Sequence, residues 1–204
     1  ANIGSVVEMD GASETTGKEI PYDTYKDVFE VKMAKIAWTD DGLYIGFNIY
    51  DNKLDFKTIA NFWEGDGFEF FLSTITDMPN ADFQLLKTEP GDVLQLSVVP
   101  SWTVPYTVAE GRTNADILAG KNSIQVKTVL RSDGYSGEVF LPFSLFKNVK
   151  KSIENNASIA MAFVFMDADR DDINRKRIQV SNVPHFVETY KTKTAKMPVF
   201  EFVA

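Results

Sequence analysis

The feature that most constrains this chain is a pair of hairpin signals, KIAWTDDGLYIGFNIYD and NSIQVKTVLRSDGYSGEVFLPF. Each sets two extended runs around a turn, Asp40-Asp41-Gly42 in one and Ser132-Asp133-Gly134 in the other. In the second arm of the first hairpin, Leu43, Ile45, Phe47 and Ile49 fall on one face. Tyr44, Gly46, Asn48 and Tyr50 fall on the other. A period of two with one apolar side requires strands that cover a core. No segment sustains the 3.6-residue period of an amphipathic helix.

Other runs extend the pattern. GDGFEFFL and DVLQLSVVP read as strands, SIAMAFVFMDAD as a long strand buried on both sides, and MPVFEFV as a closing strand. Residues 144–155, just after Pro142, are expected to hold one or two helical turns. Many short strands separated by turn signals predict an all-β fold, an antiparallel β-sandwich of jelly-roll type with little helix. No linker or internal repeat divides residues 1–204, so a single domain is expected, cut from a larger secreted protein. Polar stretches 10–27, 73–92 and 103–122 are expected to be loops at the sandwich ends, where such folds usually carry their sites.

Charge narrows the partners. A net charge of −8 disfavours a nucleic-acid backbone or an anionic membrane surface. No run of 18 apolar residues is present. With no cysteine, disulfides, thiolate nucleophiles and Cys-ligated metals are absent. His185 is the only histidine, and no G-x-S-x-G elbow or phosphate-cradling glycine loop occurs.

The stretch NFWEGDGFEFFL places Phe62 and Trp63 beside Glu64, Asp66 and Glu69. A pyranose has apolar C–H faces and a rim of hydroxyls. A ring packs on the face and carboxylates bond the rim, and Trp63 with Glu69 supplies one of each. Strand alternation sends Glu69 out with Gly67 and Phe71, opposite Phe68, Phe70 and Leu72. Gly67 is expected to leave room for a shallow groove. The alternative is a Trp63 that covers the sandwich end and a solvated Glu69. In PSWTVPY, Trp102 and Tyr106 sit in a loop stiffened by Pro100 and Pro105. They offer a second sugar platform or, equally, a loop pinned to the core. Trp38, before a turn, is expected in the core.

DADRDDINR gives Asp167, Asp169 and Asp171 the 1-3-5 spacing of a calcium loop. Asp172 at its sixth position and Ile178 at its twelfth rule out an EF-hand. An irregular calcium site or a hydrated acidic turn remain as readings. YDNKLD, with Asp51, Asn52 and Asp55, carries the same two.

In order along the chain, VKMAKIAWTDDGLYIGFNIYD, FWEGDGFEFFL, DGYSGEVFLPFSLF and AFVFMDADRDD resemble the family 9 carbohydrate-binding modules and their relatives. The resemblance implies a β-sandwich that binds sugars. It implies that Trp63 forms a wall of the site, that Glu69 bonds sugar hydroxyls, that Asp66 lies between them, and that Gln84 falls where members carry a polar ligand-binding residue. It also implies structural calcium. The second Trp that completes an aromatic clamp in sugar-binding members has no counterpart in RKRIQVSNVPHF. Ser181 or Asn182 falls near that place, with His185 and Phe186 beyond.

The expectation is therefore a non-catalytic, extracellular or cell-surface module that holds an oligo- or polysaccharide and is tethered in cis to a catalytic or surface domain. The competing readings are a structural or adhesive sandwich without a sugar site, a glycan-active enzyme using a carboxylate pair such as Asp66 and Glu69, and a haem-binding sandwich.

Overall fold

The computed structural model describes residues 5–9, 17–19, 21, 23, 26–76, 83–168, 177–183 and 197–202. The strands are β1 (Ser5–Met9), β2 (Gly17–Glu19), β3 (Phe29–Trp38), β4 (Gly42–Asp51), β5 (Gly67–Ser73), β6 (Val93–Val98), β7 (Tyr106–Val108), β8 (Gln125–Arg131), β9 (Gly134–Pro142), β10 (Ile159–Asp167), β11 (Arg177–Ser181) and β12 (Val199–Phe200). Three short helices join them: α1 (Phe83–Leu86), α2 (Ala115–Ala119) and α3 (Lys147–Glu154).

The strands form an eight-stranded sheet, β2-β1-β11-β10-β5-β6-β7 with β12 on β10, and a four-stranded sheet, β3-β4-β9-β8. Every strand pairing is antiparallel. This is the expected all-β sandwich, and both expected hairpins are present as β3-β4 and β8-β9.

The two sheets meet through the faces that the alternation assigns inward. Leu43, Ile45, Phe47 and Ile49 of β4 pack in one core with Phe68, Phe70 and Leu72 of β5 and Phe163 and Phe165 of β10. Phe47 and Phe68 lie 4.9 Å apart across the sandwich, and Phe68 stacks on Phe165 at 4.8 Å. Such offset ring contacts add to the area that each ring removes from water. Tight junctions depend on glycine: at Gly134, with φ +133°, a Cβ would meet Ile49 O at 2.1 Å.

β10 is buried along its whole length, as its apolar run predicts. The reason is a second cluster on the outer face of the larger sheet, where Phe71, Val93, Ala162, Val164 and Met166 gather with Trp63 leaning on them. The larger sheet is therefore covered on both faces at its centre.

Three expectations need correction. Trp38 is not in the core: it is 38% exposed at a strand end and meets Phe202 edge-on at 5.2 Å. The polar stretches are not plain loops, because they contain β2, α1, β7 and α2. Gly67 does not open a groove. The place its side chain would take is closed by Val98 O at 2.8 Å and by Met166 Cε at 3.5 Å.

Phe68 touches both sheets, so Phe68→Ala should cost about 3–5 kcal/mol. Chemical denaturation followed by circular dichroism checks this, and a loss below about 1 kcal/mol would contradict the packing described.

Candidate functional site

β5 turns Glu69 onto the outer face of the larger sheet, and β6 supplies its partners. Ser97 lies directly opposite Glu69 in the ladder, and Gln95 lies two residues further along β6 on the same face. Gln95 Nε2 donates to Glu69 Oε1 at 3.0 Å, and Ser97 Oγ donates to the same oxygen at 3.1 Å. Arg112, in the 3-10 turn Glu110–Arg112, donates from Nη1 to Gln95 Oε1 at 3.2 Å. One row of side chains therefore orders a carboxylate from behind and leaves its Oε2 as the remaining acceptor. Glu69 is 5% exposed, so it is not the solvated residue of the alternative reading. Burial raises its carboxyl above the usual range, opposed by the Gln95 and Ser97 bonds and by the Arg112 charge.

Trp63 reaches this face from the 3-10 turn Ile59–Glu64, which leads into β5. It is half-buried against the outer apolar cluster rather than enclosed by the Phe core between the sheets. Its ring meets Phe62 edge-on at 5.3 Å, and Phe62 meets Trp102 edge-on at 6.4 Å. Trp102 Nε1 donates to Lys57 O at 3.1 Å. Trp102 thus ties its own loop to the segment that carries Trp63, the arrangement of a pinned loop. Tyr106 OH donates to the carbonyls of Lys121 and Ile124.

Asp66 does not join Glu69. It lies on the opposite side of the chain, with no exposed surface, and accepts hydrogen bonds from Ala168 N at 2.9 Å and from Asp55 N. Those bonds tie the loop after β4 to the end of β10. The placement, with no surface open to a ligand, corrects the expectation that Asp66 reaches a sugar.

Asp66 has other company. Carboxylate oxygens of Asp51, Asp66 and Asp167 lie within 4.8 Å of one another, and all three residues are buried. Burial first, then the Asp51 charge, pushes the Asp66 carboxyl up to about 8. Tyr135, buried beside them, donates to Gly67 O at 3.3 Å. The triad, built from the ends of β4 and β10 and the entrance to β5, could hold a metal. Its hard oxygen donors suit calcium. Of the sequence-derived calcium ligands, Asp167 belongs to it, while Asp169 and Asp171 lie outside the described residues. Asp51, singled out with Asn52 and Asp55, proves to be its neighbour.

Gln84 sits in α1, and His185 lies outside the described residues. Sequence reasoning missed Gln95, Ser97 and Arg112. The alternation in DVLQLSVV does place Gln95 and Ser97 on one face, but only the pairing of β5 with β6 brings that face to Glu69. A cleft of about 650 Å³ opens at the far end of β5, away from Trp63. Its buried polar groups are already engaged. Asp92 accepts from the backbone of Asn148 and Val149 at the start of α3, and Asn114 bonds Val93 N and Lys87 O.

Among the described residues, no helix is long and apolar enough to cross a membrane. No curated protein matches the chain. Among the solved structures that resemble it are two of a family 9 carbohydrate-binding module from Caldicellulosiruptor kristjanssonii. One, in complex with cellotriose, has a TM-score of 0.59 at 18% identity, over 86% of this chain and 78% of that one. The other, in complex with glucose, has a TM-score of 0.57 at 17% identity, over 90% of this chain and 88% of that one. At such identities the likeness is one of fold. The family model for carbohydrate family 9 binding domain-like proteins matches residues 30–191. With that match spanning most of its length, the chain belongs to the carbohydrate family 9 binding domain-like family.

Proposed function

We propose that the outer face of the larger sheet binds a saccharide without catalysis, with Trp63 as the ring against a pyranose face and Glu69 Oε2 as the acceptor for its hydroxyls. The observation that carries this is the Arg112–Gln95–Ser97 row, which fixes a buried carboxylate on the same face as a half-buried indole. A carboxylate costs free energy to bury, and a merely structural position would be met more cheaply by an apolar residue. A ligand hydroxyl gives the charge a use. The structural relatives holding cellotriose and glucose make a glucose-based chain the ligand class to test. One ring and a few hydrogen bonds support weak affinity, on the order of micromolar to millimolar. A weak module gains by tethering, so we assign it to a secreted or cell-surface protein whose other domain benefits from a raised effective concentration on glycan.

We further propose a structural calcium held by Asp51, Asp66 and Asp167. Bound there, the ion would supply the positive charge that three clustered buried carboxylates lack among themselves. Asp66 lies three residues from both Trp63 and Glu69. Neutralising the triad would therefore steady the entrance to β5 on which both depend.

Two outcomes follow. In calorimetric titration with cellotriose, Trp63→Ala and Glu69→Ala should each weaken binding at least about tenfold, equal to about 1.4 kcal/mol. Unchanged affinity in both variants would move the site elsewhere. In chelator-treated protein, Asp66 holds a proton when folded that it has lost when unfolded. Its contribution to stability is thus complete below the ordinary carboxylate value of 3.8 and is lost as pH rises to about 8. Added calcium should raise the melting temperature most near pH 8, and Asp66→Asn should remove that gain. A melting temperature indifferent to calcium would reject the ion.

A further inference from the structure

The row of side chains behind Glu69 ends at Arg112, whose guanidinium has more donors than the row uses. Its turn follows β7 and is held along β6 by other groups. Ala109 N donates to Gln95 O at 3.0 Å, Gln95 N donates to Thr113 Oγ1 at 3.2 Å, and Asn114 N donates to Val93 O at 3.0 Å. Thr113 and Asn114 are buried. These bonds fix the turn and owe nothing to the Arg112 side chain. A guanidinium carries several N–H donors in a rigid fork. Among the described residues, Arg112 engages one of them, from Nη1 to Gln95 Oε1 at 3.2 Å, and forms no ion pair.

Burial gives the side from which Glu69 can be met. Glu69, Gln95 and Ser97 are buried, whereas Arg112 and Trp63 are half-buried. Across β5 from Ser97, the row of Glu69 continues through Val164 and Ser181, and both are buried. The open side of Glu69 is therefore the side of Arg112 and Trp63.

Charge then narrows the ligand. The Gln95 amide bridges the Glu69 carboxylate and the Arg112 guanidinium, and the Arg112 charge is felt at Glu69. An anionic or a cationic sugar would gain one of these groups as a partner and be repelled by the other. A neutral sugar is repelled by neither. One of its hydroxyls can donate to the carboxylate while the neighbouring hydroxyl accepts from the guanidinium.

We propose that Arg112 is a ligand-binding residue of this site, donating to the sugar hydroxyl beside the one that Glu69 Oε2 accepts, and that the two together select neutral sugars over charged ones. This rests on the outer-face saccharide site proposed above.

Isothermal titration of the whole domain with cellotriose tests it, using Arg112→Ala, Gln95→Ala and the double variant, with melting curves to establish that each folds. Arg112→Ala should weaken binding about tenfold, and by a similar factor where Gln95 is already Ala. An Arg112 that acts only by ordering Gln95 would lose its effect in that background, and that result overturns the proposal. A protonated glucosamine trisaccharide should bind the unaltered domain about tenfold more weakly than cellotriose, and Arg112→Ala should narrow the gap to about twofold. Arg112→Lys, which keeps the charge without the planar fork, should weaken cellotriose yet keep the gap. A gap that Arg112→Ala leaves unchanged contradicts the proposal. Where Arg112→Ala does not fold, Arg112→Gln takes its place in each comparison. Cellotriose affinity that falls in Trp63→Ala and Glu69→Ala but not in Arg112→Ala removes Arg112 from the site and leaves the site standing. No cellotriose binding by the unaltered domain overturns both.

Discussion

The two-residue repeat of β5 governs both what this protein buries and what it presents. Phe68, Phe70 and Leu72 go into the space between the sheets, and Glu69 and Phe71 go to the outer face. A slip of one residue would exchange these sets, placing a carboxylate among the Phe rings and the rings on the outside. The inner ring contacts across to Phe47 and Phe165 hold the register firmly. The orientation of Glu69 is thus a consequence of core packing, and its environment is then completed by β6.

Two kinds of buried acid lie on either side of that strand. Glu69 is matched by neutral donors and a nearby guanidinium, which preorganises one oxygen and leaves the other as the acceptor. Asp66 is crowded by Asp51 and Asp167 and compensated only in part by backbone amides. The first arrangement suits recognition of hydroxyls, and the second suits a small hard cation. Their separation by three residues in the chain makes the loop from Asp55 to Asp66 a shared support.

The sequence made the sandwich legible because its hairpins rest on local chemistry: an Asp-Gly turn, strict alternation, and a β10 run too apolar for a surface strand. The family resemblance brought attention to Trp63 and Glu69, whose spacing about the strand entrance is local as well. What escaped was non-local. Gln95, Ser97 and Arg112 acquire meaning only through strand pairing, and Asp51 and Asp167 are 116 residues apart in sequence until the ends of β4 and β10 meet (167 − 51). Asp66 misled for a related reason. Its spacing from Glu69 suggests a pair, but an odd separation along an extended chain sends the two to opposite sides. Trp38, expected in the core from its place before a turn, is 38% exposed because the end of a strand does not bury every ring.

The most direct test of the central claim is to follow backbone and indole N–H resonances while cellotriose is added. The account predicts progressive shifts of the Trp63 indole and of the Glu69, Gln95 and Ser97 amides, with the Asp92 and Asn114 amides at the far cleft unmoved. Shifts confined to that cleft, or none at any concentration up to tens of millimolar, well above the weak affinities expected here, would contradict it.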